Sequence, residues 1–138
     1  MPDKAPVIDL IGMQTIRCLF EVVPEYSGPD KIEARPHFSF TVDQNATDQE
    51  LYKISMRVRM GLDEKPGEYP YNIEVVIEAI FRITNVPEDK LNIVFRDKCA
   101  AVIFPYMRAT LSSLMTCAGT APYIIPILDM DKVFTTAV

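Results

Sequence analysis

The sequence contains no tryptophan, one histidine, five glycines and three cysteines in 138 residues. Each shortage excludes something. A metal centre or a nucleophile–histidine pair needs partners at set spacings, and no Cys-x-x-Cys or His-x-x-x-His is present. His37, beside Pro36, reads as a surface strand residue. So few glycines form no phosphate-cradling loop. Cys18, Cys99 and Cys117 are odd in number and far apart, which suits reduced thiols packed as small hydrophobes. None of them lies in an electropositive, helix-cap-like context that would make a thiolate. The expectation is no catalytic residue, no metal and no cofactor.

Long apolar runs are also missing. No stretch approaches the roughly 20 residues of a spanning helix, and Pro105 interrupts the best candidate. The beginning, "MPDKAPVIDLIG", lacks the basic and apolar regions of a signal peptide, so a cytoplasmic location without membrane insertion is expected. Basic excess is absent too: 14 Lys and Arg against 19 Asp and Glu give a net charge of −5. Nucleic acid demands a clustered basic surface, and Arg57 and Arg59 have acidic residues around them. What remains is a chain 49% hydrophobic with a mean hydropathy of +0.08, long enough for a single domain over residues 1–138.

The first half alternates with period two. "QTIRCLFEV" puts Ile16, Cys18, Phe20 and Val22 on one face, and "HFSFTVD" does so with Phe38, Phe40 and Val42. "PEYSGPDKIEARP" between them is a loop, and "NATDQ" is turn chemistry. "LYKISMRVRM" turns Tyr52, Ile54, Met56, Val58 and Met60 inward. "YNIEVVIEAIFRI" does the same with Tyr71, Ile73, Val75, Ile77, Ala79, Phe81 and Ile83. Such strands make an antiparallel sheet with one face to cover.

"NVPEDK" then carries helix-start signals: Thr84 or Asn85 as cap, Pro87 early, Glu88 and Asp89 in the first turn. Leu91, Phe95, Val102 and Tyr106 follow at helical spacing. Pro105 is expected to end or kink this helix, and a second helical stretch, Tyr106 to Cys117, to stop at Gly119. "CAAVIFPYM" is apolar around its whole circumference, and a helix of that kind is buried on every side. One small sheet covers one side. A second subunit is therefore expected on Ala101, Phe104, Tyr106, Met107, Leu111 and Leu114. Beyond Gly119, "TAPYIIPILDMDKVF" is apolar and held open by two prolines, which marks a binding surface.

"FPYMRATLSSLMTCAGTAPYIIPILDMDKVF" resembles the SecB family of bacterial export chaperones. The match lies in Phe104, Pro105, Tyr106, Arg108, Gly119, Thr120, Pro122 and Pro126. "LYKISMRVRM" and "YNIEVVIEAIFRI" are similar to that family's strands, and the likeness runs from about Gln14 to Phe134. It departs at Ile127, Leu128, Asp129 and Met130, where the family has Val-Asn-Phe. The resemblance implies an α+β fold: a four-stranded antiparallel sheet, a long helix and a short C-terminal helix. It implies a homotetramer, a dimer of dimers with the long helices between two sheets. It also implies ATP-independent holding of unfolded polypeptides and delivery to the SecA motor.

Three surfaces follow. Unfolded clients are expected on Phe38, Phe40, Tyr123, Ile124, Ile125, Ile127, Leu128, Met130 and Phe134. Glu74 and Glu78, on the outer strand face, are open to two readings: cross-strand pairing with Arg57 or Arg59, or docking of a SecA-like partner. By the resemblance, Glu74 matches a sheet glutamate used for SecA contact. Two other functions stay open: a chaperone dedicated to an antitoxin, and a hot-dog-like acyl-thioester enzyme. The enzyme needs a helix carboxylate in a pocket, whereas Arg96, Asp97 and Lys98 read as a solvated stripe.

Overall fold

The computed structural model describes residues 5–24, 26, 36–62 and 69–117. Strands β1 (Val7–Val22), β2 (His37–Gln44), β3 (Leu51–Met60) and β4 (Tyr71–Thr84) form one antiparallel sheet in the order β1-β4-β3-β2. β2, β3 and β4 follow one another as hairpins, while β1 lies beside β4 instead of β2. This is the Greek-key return, with the long connection after the first strand.

The strict alternation of β3 and β4 becomes burial. Tyr52, Ile54, Met56, Val58 and Met60 pair with Phe81, Ala79, Ile77, Val75 and Ile73, and all ten are buried. The hairpin from β2 to β3 is set by Asn45, whose Oδ1 accepts from the backbone N–H groups of Thr47 and Asp48 at 2.9 and 2.8 Å. At the end of β3, Gly61 takes φ +88°, and a Cβ there would run into the Tyr71 carbonyl oxygen.

β1 is longer than its alternation suggests and carries two register shifts, between Leu10 and Gly12 and between Thr15 and Arg17. Ile11 and Ile16 are the extra residues, both exposed. Thr15 therefore stands opposite the buried Ile77, and Ile16 does not face inward as its spacing suggests. Cys18, Phe20 and Val22 do lie on the helix side, opposite Val75, Ile73 and Tyr71.

The helical region starts with a 3-10 turn, Glu88–Lys90, then α1 (Leu91–Val94), a π turn (Phe95–Cys99) and α2 (Ala100–Cys117). Pro87 occupies the cap position; Asn85 instead takes φ 62° and its side-chain N–H donates to the Ala5 carbonyl at 3.2 Å. Pro105 does not end the helix, because α2 runs through it. The Gly119 stop lies outside the described residues.

The π turn has a packing consequence. Phe95, Cys99, Ile103, Met107, Leu111 and Met115 recur every fourth residue, and all are buried against the sheet. In a regular α-helix such a repeat drifts about 40° per step off the covered face. The wider π turn takes up the drift of the first step, which sets Phe95 on the same side as Cys99 and the residues that follow. Val102 and Tyr106, expected on the same stripe as Phe95, are thereby rotated outward and are exposed.

Leu111 is completely buried. Leu111→Ala is expected to lower the unfolding free energy by about 2–5 kcal/mol in urea denaturation, whereas Ser113→Ala, at an exposed site, should change it by less than about 0.5 kcal/mol.

Candidate functional site

One helix cannot seal four strands. β3 and β4 lie beneath it and are buried, while apolar residues on the two outer strands are half covered. On the β2 side these are Phe38 and Val42; on the β1 side they are Ile8, Met13 and Phe20. Phe38 meets Phe104 of α2 with ring centroids 5.8 Å apart, and Phe20 meets Tyr71 at 5.4 Å. Phe38 thus lies at the margin of the covered surface. Phe40, expected beside it at a binding surface, is buried and belongs to the core, opposite Met56 near the middle of β2. Tyr123, Ile124, Ile125, Ile127, Leu128, Met130 and Phe134 lie outside the described residues.

The residues expected at a subunit contact divide. Phe104, Met107 and Leu111 face the protomer's own sheet and are buried there, which corrects the expectation that they meet a second chain. The four-residue stripe consumes them. Ala101 and Tyr106 are exposed, and Leu114 is half-buried. With Val102, Pro105 and Ala109 they leave an outward helix surface of small and apolar side chains. The pattern alone did not single out β1, yet Val7, Leu10, Ile11, Ile16 and Val22 are all exposed along this edge strand.

The outer face of the sheet is polar. Glu74 is buried, and its carboxylate is shared by Arg17, Arg57 and Arg59. The last two stand 3.7 and 3.2 Å from Oε2. Glu78 is more open; Lys53 lies 4.0 Å away and the Ser55 hydroxyl donates to it at 3.4 Å. The pairing reading accounts for Glu74, which is enclosed by guanidinium groups and presents no free acidic surface. Arg17 had no signal beyond its place on β1, since its approach to Glu74 depends on the bulge at Ile16.

Comparison with known proteins places this geometry. Residues 20–138 match the family model described as SecB, preprotein translocase subunit SecB. The protein-export protein SecB of Magnetococcus marinus is 25% identical, over 95% of this chain and 84% of that protein. The protein-export protein SecB of Nitrosomonas europaea is 31% identical, over 71% of this chain and 62% of that protein. Among solved structures, a Mycobacterium tuberculosis SecB-like chaperone in complex with a ChAD peptide from the HigA1 antitoxin is similar in fold. Its TM-score is 0.68 at 13% identity, with 88% of each chain covered.

The chemistry of the described residues is quiet. No helix among them is long and apolar enough to cross a membrane, and no group of three metal-ligating side chains occurs. Asp97 is exposed and accepts from the Nε of its neighbour Arg96 at 3.2 Å, directed to solvent. Burial pushes the Cys99 thiol up to about 12, so it stays protonated at neutral and mildly alkaline pH. Cys18 and Cys117 are exposed. Titration with a chromogenic disulfide reagent near pH 8 should therefore modify Cys117 in the native protein. Cys99 should react only after denaturation.

Proposed function

The chain belongs to the SecB family, and from that premise we propose that it is an ATP-independent chaperone holding unfolded polypeptides in apolar grooves for export. The observation that carries the reading is the half-covered sheet margin, where Phe38 and Val42 stay partly accessible beside the helix. Unfolded chains expose apolar side chains in no fixed shape, and a long open margin suits them better than a closed pocket. Under this reading the apolar side chains from Tyr123 to Phe134, which lie outside the described residues, also meet the client. The relatives named protein-export protein support delivery for export. The solved neighbour with its antitoxin peptide shares the fold and leaves the choice of client to those relatives. Hand-off to a SecA-like motor and a cytoplasmic location complete the proposal, with Glu78, the accessible carboxylate of the two, left to dock and Glu74 held by its arginines. No catalytic step and no cofactor belong to it.

Assembly belongs to the same reading. Among the described residues the 16-residue β1 is paired on one side only, with Leu10, Ile11, Ile16 and Val22 exposed, and unpaired strand edges are templates for another chain. α2 offers Ala101, Val102, Pro105 and Tyr106. Two contacts of different kind generate a dimer of dimers, a homotetramer with the helices inside.

Burying one large aliphatic side chain contributes about 1.5–3 kcal/mol. Ile125→Ser with Leu128→Ser should therefore weaken suppression of aggregation of a denatured test protein by about a hundredfold. Equal protection by a variant of unchanged size would move the groove elsewhere. In light scattering at micromolar concentration the wild type should have the mass of four chains. Ala101→Asp, which forces a carboxylate to desolvate in the contact, should reduce that mass. A monomeric wild type would contradict the assembly.

A further inference from the structure

The outer sheet face holds a feature that the holding of apolar clients does not use. In one row across the strands, Arg17 stands opposite Val76, which in turn stands opposite Arg57. The next row contains Glu74 opposite Arg59. Among the described residues, Glu74 is the one carboxylate within ion-pairing distance of Arg17 or Arg57. It also serves Arg59. For Arg17 and Arg57 one negative charge thus faces two positive ones. Glu74 is almost inaccessible, whereas the Arg17 and Arg57 side chains are 56% and 47% exposed. The buried acid holds the Nε side of both guanidinium groups, and about half of each side chain is open to solvent. The stems of both arginines flank Val76, which is 4% exposed, giving the cluster an apolar floor.

We propose that Arg17 and Arg57 form a docking site for an acidic segment of a partner polypeptide on the outer face of the sheet. Guanidinium forks suit carboxylates, which they engage through paired N–H donors. Two strand spacings set the Arg17 and Arg57 backbones about 10 Å apart; carboxylates two residues apart on an extended peptide are about 7 Å apart, and the long arginine side chains converge over the remaining distance. Nucleic acid fits less well. Two arginines neutralise few phosphates, and a net charge of −5 opposes a long polyanion. The site has the opposite sign to the acidic docking expected from Glu74 in the sequence. It does not depend on the apolar groove.

The test is fluorescence anisotropy with a labelled decapeptide of alternating glutamate and serine, which has no apolar side chain to enter a client groove. The wild type should bind it saturably at low salt. Binding should weaken at least about tenfold on raising the salt from about 20 to about 200 mM. Arg17→Gln with Arg57→Gln should lose about tenfold or more in affinity. Arg17→Lys with Arg57→Lys, which keeps the charge and guards against a folding effect, should bind more tightly than the Gln pair. Three results would overturn the proposal: no binding of the glutamate peptide by wild type, equal binding by the Gln pair, or binding of a thymidine oligonucleotide or of a decapeptide of alternating lysine and serine in its place.

Discussion

A helix 10–12 Å across rests on four strands whose outer axes are about 14 Å apart, before their side chains are counted. Most of the structure follows from that mismatch. The helix covers β3 and β4, whose inward residues from Tyr52 to Met60 and from Ile73 to Ile83 are buried. It leaves β1 and β2 half covered. Phe38 and Val42 remain at one margin, Met13 and Phe20 at the other, and Leu10 and Val22 are open. Apolar surface of this kind lowers solubility unless something occupies it. Both outer strands are edges of the sheet; the longer β1, with Leu10, Ile11, Ile16 and Val22 exposed, suits another copy of the chain, and under the proposed function the margin beside β2 receives unfolded polypeptide.

Keeping a long helix aligned over two strands requires local irregularity. The buried stripe repeats every four residues, and the π turn at Phe95–Cys99 sets Phe95 on the same side as the residues that follow. Pro105 lies within α2 on the exposed side, where its missing N–H and ring do not disturb the stripe. The opposite side of the sheet is stabilised in another way. Glu74 draws Arg17, Arg57 and Arg59 together across three adjacent strands, so β1, β4 and β3 share one ionic cluster as well as their backbone ladder.

The central strands were legible in the sequence because each residue of β3 and β4 has one partner per step, and period two translates directly into burial. β1 was legible only in part. Its two bulges break the period, so Val7 to Met13 gave no strand signal and Ile16 changed sides. On the helix, uniform hydrophobicity showed that both sides need cover but not which residue takes which. Phe104, Met107 and Leu111 went to the protomer's own core, and Ala101 and Tyr106 to the outside. That division depends on the phase shift at the π turn, which has no composition signal. Phe40 was misplaced for a related reason, since an inward strand residue becomes core or margin according to where the helix lies. Glu74 could be assigned across from Arg59, while the third arginine required the bulged register of β1.

The central claim is that the β2 margin and the segment after α2 receive unfolded polypeptide while the β1 margin is occupied by another copy of the chain. Hydrogen–deuterium exchange with and without a permanently unfolded, reduced client tests this most directly. The account predicts client-dependent slowing of exchange in the peptides containing Phe38 to Val42 and Tyr123 to Phe134, with β1 already protected in both states. Slowing confined to β1, or to none of these peptides under conditions where the client is bound, would contradict it.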